Sequence, residues 1–232
     1  MRHPAIGMQA MKERQERGGE RRAHGPMMAV FAVLVALVVH AGAGAAVAEV
    51  RFSTRISTYA VTGADPVAVL NSMRRNGPVV EGRRAFASTH TRARWMARFR
   101  QVGRRCRVER LVVHARFDIR LPRAVEYARF PPVVQREWRQ FVHILARHER
   151  THVRIYRHCI ARAARRQRGM TAPTCRQLKD RLRRSFRRTL AACNKAHDRL
   201  DHRDVSRTPR IPFVRRAIRM QRARGQRRLI GG

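Results

Sequence analysis

One helical register constrains this chain more than any other feature. Trp138, Phe141, Leu145, His148, His152, Ile155 and Cys159 follow one another at intervals of three and four residues, so they form a continuous stripe along one face of a helix. Pro131-Pro132 precede the stripe and Gly169 follows it, which predicts a helix from about 132 to 168. A stripe of that length must bury against something, and the flanking sequence offers two partners. Upstream, Leu111, Val113, Ala115, Phe117, Ile119 and Leu121 alternate with Val112, His114, Arg116, Asp118 and Arg120, the period-two signature of a strand with one buried and one wet face. Downstream, Thr174 offers an N-cap for a second helix running to about Asp201.

The rest fits the same plan. Phe52 to Val61 reads as a strand, Asp65-Pro66 opens a short helix to about Arg75, Asn76-Gly77-Pro78 is a turn, and 85–99 holds one more strand or two. The expected fold is α+β: a small, mainly antiparallel sheet packed on a long two-helix hairpin. Hydrophobic residues make up 44% of the 232, enough for a packed core and too many for a wholly disordered basic protein.

Charge says less than its size suggests. Lys and Arg number 53 against 15 Asp and Glu, and only Lys12, Lys179 and Lys195 are lysines. An arginine bias this extreme is what a GC-rich coding sequence produces. The net charge of +38 still predicts salt-dependent, non-specific contact with anionic polymers or membrane surfaces. No helix-turn-helix or stacking motif argues for specific nucleic-acid recognition.

Four segments are expected. Residues 1–26 read as a disordered basic leader, and 27–48 as a signal peptide or N-terminal membrane anchor, with an apolar run from Met28 to Val39 and a small-x-small site at Ala46-Val47-Ala48. Residues 49–203 form the folded domain, and 204–232 a basic flexible tail. The reading places the chain outside the cytoplasm, secreted or periplasmic. Cys106, Cys159, Cys175 and Cys193 all follow the apolar segment, and an even count in an oxidising compartment predicts two disulfides, with three connectivities open.

The chemistry lies mid-stripe. His148 and His152 sit one turn apart, facing the same way, with Glu149 beside the first: the H-E-x-x-H pattern. In that arrangement two imidazoles hold Zn²⁺ and the glutamate serves as general base toward a water that the metal acidifies. A third protein ligand is needed. His158 lies six residues after His152, but Ile155 stands where the longer motif requires a helix-breaking glycine. The second helix offers a cluster of Asn194, His197, Asp198, Asp201 and His202. A tight hairpin around residue 171 brings the histidine pair nearest His197, whereas a Cys159–Cys193 bridge slips the helices and brings it nearest His202.

The chain resembles a bacterial family of domains of unknown function described as predicted secreted zinc-dependent proteases. The resemblance rests on Tyr59-Ala60-Val61-Thr62-Gly63, Gly77-Pro78, Ala93-Arg94-Trp95, Cys106-Arg107-Val108, Leu121-Pro122, Trp138 with Phe141, and His148-Glu149-Arg150-Thr151-His152-Val153. It spans about 52–202. The family implies zinc on His148 and His152, Glu149 as the catalytic base, and a peptide or protein substrate. It also carries a later cysteine and an Asn…Tyr-Asp…His segment, which Cys175 and the run Asn194, His197-Asp198, His202 resemble, with His197 where the family has tyrosine. If Cys175 pairs with Cys106 as the family implies, Cys159–Cys193 remains as the second bridge and His202 becomes the favoured third ligand. The strand at 109–121 is the expected edge for an extended substrate. The rival expectation is a non-catalytic exported cationic binding protein in which zinc is structural or absent.

Overall fold

The computed structural model describes residues 47–230, with the backbone alone described for 226–230. The elements run β1 (Val47–Val61), α1 (Pro66–Asn76), β2 (Val79–Val80), β3 (Arg83–Arg84), β4 (Ser88–Val102), β5 (Arg105–Ala124), α2 (Pro132–Arg168), β6 (Thr171–Ala172), α3 (Cys175–Val205) and α4 (Pro212–Ile230). The fold is α+β, a small sheet packed against helices. Its main strands lie in the order β1-β5-β4, with β1 parallel and β4 antiparallel to β5, and β6 adds a short antiparallel pairing.

The alternating strand expected at 109–121 is the middle of the 20-residue β5. Its partners on both sides bear on function. Every residue from Arg110 to Ala124 faces one of β1, and β4 is registered against the same strand from Ser88↔Arg120 onward. β5 is therefore the central strand, not the expected edge, and an added peptide strand finds its backbone groups already engaged. The exposed edges belong to β1 and β4. Of residues 85–99, read as one strand or two, 88–99 belong to the single strand β4.

Two glycines are required where β1 turns into α1 and where α1 ends. Gly63 has φ +145, and a Cβ there would lie 2.7 Å from Ala68 Cβ. Its N–H donates to Glu126 Oε2 at 3.0 Å, tying the turn to the end of β5. At Gly77 a Cβ would meet Ala85 O at 2.2 Å. Asp65 caps α1, accepting from the N–H groups of Val67 and Ala68, with Pro66 in the first turn.

The helix α2 starts after Pro131 and stops before Gly169, as the punctuation predicted, and Thr174 caps α3 by accepting from Gln177 N–H. The seven-residue stripe of α2 is not buried throughout. Trp138 and Phe141 are, but beyond them the buried line moves to Glu149, Val153, Tyr156, Ile160 and Ala164, which face the sheet. A helix of 37 residues spans two cores. One, with Phe117, Ile119, Tyr156 and Leu182, lies between the sheet and the α2–α3 pair. The other gathers Tyr59, Val61, Met73, Trp138, Phe141 and Phe213 from β1, α1, α2 and α4.

The α4 contribution corrects the expectation of a flexible tail at 204–232. Phe213 is fully buried, Ala217 nearly so, and the Arg216 guanidinium donates two bonds to the Glu137 carboxylate at 2.6 and 2.7 Å. Pro209 lies in a short 3-10 turn, Thr208–Arg210, between α3 and α4, and Pro212 starts α4, so the fold continues through α4. Of the expected signal segment at 27–48, only Val47 and Ala48 are described, and they open β1; the remainder, and the leader at 1–26, lie outside the described residues. No helix among the described residues is long and apolar enough to cross a membrane. Cys106 is bonded to Cys175 and Cys159 to Cys193, a pattern that belongs to an oxidising, extracellular or periplasmic compartment.

Candidate metal centre

Three elements build the site. Mid-α2 presents His148 and His152 toward α3; one residue round the helix, Glu149 faces the sheet; α3 answers with Asp201 and Asp204. The Cys159–Cys193 bridge sets the level of the two helices, and the histidines come to lie opposite 201–204.

The donor atoms form a nearly equilateral triangle. His148 Nε2 and His152 Nε2 are 2.9 Å apart, and Asp201 Oδ1 is 3.2 Å from the first and 3.0 Å from the second. Two imidazole nitrogens and a carboxylate oxygen are a common tetrahedral zinc donor set, and ligands about 2.0–2.1 Å from an ion, opened to the tetrahedral angle, stand about 3.3 Å apart. The donors meet that requirement to within a few tenths of an ångström. This group can hold a metal ion.

Outer partners orient the imidazoles. Nδ1 of His148 lies 2.9 Å from Asp204 Oδ2 and donates to it in the tautomer that leaves Nε2 free to ligate, the carboxylate–histidine–metal relay. On the other ring, Nδ1 of His152 is 2.7 Å from Nδ1 of His197, whose side chain is almost wholly enclosed and stacks 4.0 Å from the Tyr156 ring centroid.

Electrostatics agree with a cation-binding design. Burial works against a charged His148, but the hydrogen bonds of Asp201 and Asp204 outweigh it, and the group is pushed up to about 9. Burial likewise opposes ionisation of Asp201, yet His148 and His152 hold its carboxyl well below the usual range. Two carboxylates thus converge on His148 and stabilise its positive charge. Glu149 differs. It is 4% exposed, and desolvation raises its carboxyl above the ordinary value, opposed only in part by His152, Thr89 and His148. Thr89 of β4 donates its hydroxyl to Glu149 Oε2 at 2.7 Å, fastening the carboxyl to the sheet's antiparallel edge strand.

The expected third ligand is displaced by one residue. His202 is exposed and lines a shallow depression with Thr151, Ile155 and Arg203 on the outer crease of the α2–α3 pair, away from the donors. His158 lies along the same crease, its Nε2 2.7 Å from an Arg162 nitrogen. His197 backs His152 through the ring nitrogen remote from the donor triangle, and Asp198 is half-buried outside the donor group. Asp201 takes the place instead. A signal for it existed in α3: Phe186, Leu190, Cys193, His197, Asp201 and Asp204 recur at intervals of three and four, the same register that singled out the histidines of α2. Thr89 carried no such signal, because a threonine in a strand is ordinary.

Residues 56–206 match the model of a family described as a bacterial protein of unknown function, DUF922. The chain belongs to that family. No curated protein matches the chain, and no solved structure does. The family match takes in β1 from Ile56, both cysteine pairs, the H-E-x-x-H segment, Asp201 and Asp204. It ends before α4.

Proposed function

We propose that this DUF922 protein is a zinc-dependent endopeptidase working in the periplasm or outside the cell. The observation that carries the proposal is the triangle of His148, His152 and Asp201 beside a buried Glu149. His148, His152 and Asp201 would hold the ion, while Asp204 and His197 fix the ring orientations. Zinc, when bound, supplies a Lewis acid that brings the acidity of water close to neutral pH.

The chain's own groups supply the rest. Glu149, with its affinity for a proton raised by burial, accepts one from the attacking water and passes it to the departing amine. The Thr89 hydroxyl holds that carboxyl in one orientation. β4, the edge strand that carries Thr89, offers main-chain groups to an extended peptide, and an antiparallel addition there lays the substrate alongside Glu149. This moves the expected substrate strand from β5 to β4.

The test is metal content together with peptidase activity, wild type against Glu149→Gln. The variant is expected to retain zinc stoichiometrically and to lose at least about a hundredfold in turnover, the scale of a general base. Zinc bound by the wild type with no cleavage across a broad peptide library would hand the site to the rival reading, a structural metal in an exported binding protein.

A further inference from the structure

The sheet has a second face. Along β5 the side chains that alternate with Phe117 and Ile119 point away from α2 and α3, and the pairing registers align them with their neighbours on β1 and β4. One cross-strand row reads Arg51, His114 and Arg94, and the next reads Ser53, Arg116 and Arg92; all six side chains are exposed. Two residues along β4 from Arg94, Met96 sits opposite Val112, and Arg98 then faces Arg110.

In a chain with so many arginines, density by itself means little. Placement means more. Cross-strand neighbours on one face stand about 5 Å apart, where sheets favour opposite charges and like charges oppose folding. Here Arg92 is set against Arg116, and Arg98 against Arg110. Acidic relief comes from Asp118 beside Arg116 and from Glu49 beside Arg51 and Arg110.

The same face carries exposed apolar groups at the end where β1 begins. Met96 and Val47 are each 58% exposed, Val47 registered with Arg110 and Met96 two residues from Arg98. The apolar stretch of the sequence, Met28 to Val39, joins the chain only a few residues before Val47. A cationic sheet face, exposed apolar side chains at one end of it and an apolar stretch of sequence upstream of that end share one complementary occupant: the anionic headgroup layer of a bilayer.

We propose that the solvent face of β1, β5 and β4 docks on an anionic lipid surface. The arginines meet the phosphates, Met96 and Val47 reach the headgroup boundary, and the α2–α3 seam is held on the side of the sheet away from the lipid. The docking needs nothing from the metal donors.

The test is co-sedimentation of the full-length protein with vesicles of phosphatidylcholine containing about one-third phosphatidylglycerol, referred to pure phosphatidylcholine vesicles so that binding through the apolar segment cancels. Near an anionic surface each cation contributes roughly fivefold in affinity, so the triple variant Arg51→Gln, Arg92→Gln, Arg94→Gln is expected to lose about a hundredfold in the anionic increment. Its melting temperature should stay within a few degrees of the wild type's, because exposed ion pairs such as Arg51–Glu49 contribute little to stability. A matched set on the α2–α3 crease, Arg154→Gln, Arg162→Gln, Arg188→Gln, should lose less than about threefold, since those side chains lie across the molecule, beyond a Debye length of about 10 Å at 0.1 M salt. Equal losses in the two sets would overturn the proposal and leave diffuse net charge as the cause. So would a sheet-face set that abolishes binding to soluble double-stranded DNA while leaving vesicle binding intact.

Discussion

The helix α2 makes two contacts of opposite character. Its first turns meet α4 through rings: Trp138 and Phe141 lie 5.1 and 5.6 Å from Phe213, centroid to centroid, in an apolar core flanked by the Arg216–Glu137 ion pair. Its middle meets α3 through His148, His152 and Asp201, three polar atoms crowded within 3.2 Å. The first contact is specified by volume and tolerates some rotation of each ring. The second is specified by the direction of lone pairs, and one residue's shift along α3 turns a donor through about 100° and out of the site. The aromatic contact holds the helix in place; the polar one uses the place so held.

That division can be broken by experiment, and the aromatic contact should give the largest effect. Phe141→Ala is expected to cost about 3–5 kcal/mol of unfolding free energy in chemical denaturation, since it empties a fully enclosed site. Asp201→Asn should cost under about 1 kcal/mol in metal-free protein, because the side chain is 42% exposed and its ion pairs are screened. If the two variants lose equal stability without metal, the contrast fails.

The seam should declare itself when zinc is added. With free zinc at about a hundred times its dissociation constant, the wild type gains about 2.7 kcal/mol by mass action, and Asp201→Asn should gain almost none at the same concentration. Thermal melts with and without the ion measure both. A full zinc-induced shift in the variant would remove Asp201 from the donor set.

The smallest effect sharpens the α4 side. Hydrogen bonds from Arg216 hold the Glu137 carboxyl below its ordinary value, with burial opposing in part. A depressed folded-state pKa means stability that is present above the unfolded value near 4.5 and lost as pH falls through the lower folded value. Glu137→Gln should therefore cost about 1 kcal/mol near neutral pH and progressively less in acid, so that its denaturation midpoint converges on the wild type's.

Much of this was legible in the residues. The punctuation of α2 between Pro131 and Gly169 gives its observed extent, and the alternation at 109–121 finds the middle of β5. The aromatic half of the α2 stripe was legible too, because burial follows directly from apolar side chains. What failed depended on direction or on partners. His202 is the residue that a Cys159–Cys193 bridge and the family resemblance favour, although the register that selects His148 and His152 selects Asp201 when applied to α3. β5 looked like an edge because pairing on two sides leaves no trace in one strand's own pattern. The arginines of 204–232 hid Phe213, Val214 and Ala217, which mark α4 as part of the core. Thr89 was invisible because its role exists only once β4 lies against α2.

The late position of Phe213 has a consequence for biogenesis. Its ring closes the packing around Trp138 and Phe141 from far along the sequence, and Arg224 reaches back to Asp65 at 2.6 Å across 159 positions. Contacts of such long sequence separation form slowly, after the loop-closure entropy between them has been met. A chain synthesised only as far as α3 can therefore assemble the core between the sheet and the α2–α3 pair while the one around Trp138 and Phe141 still lacks its last wall.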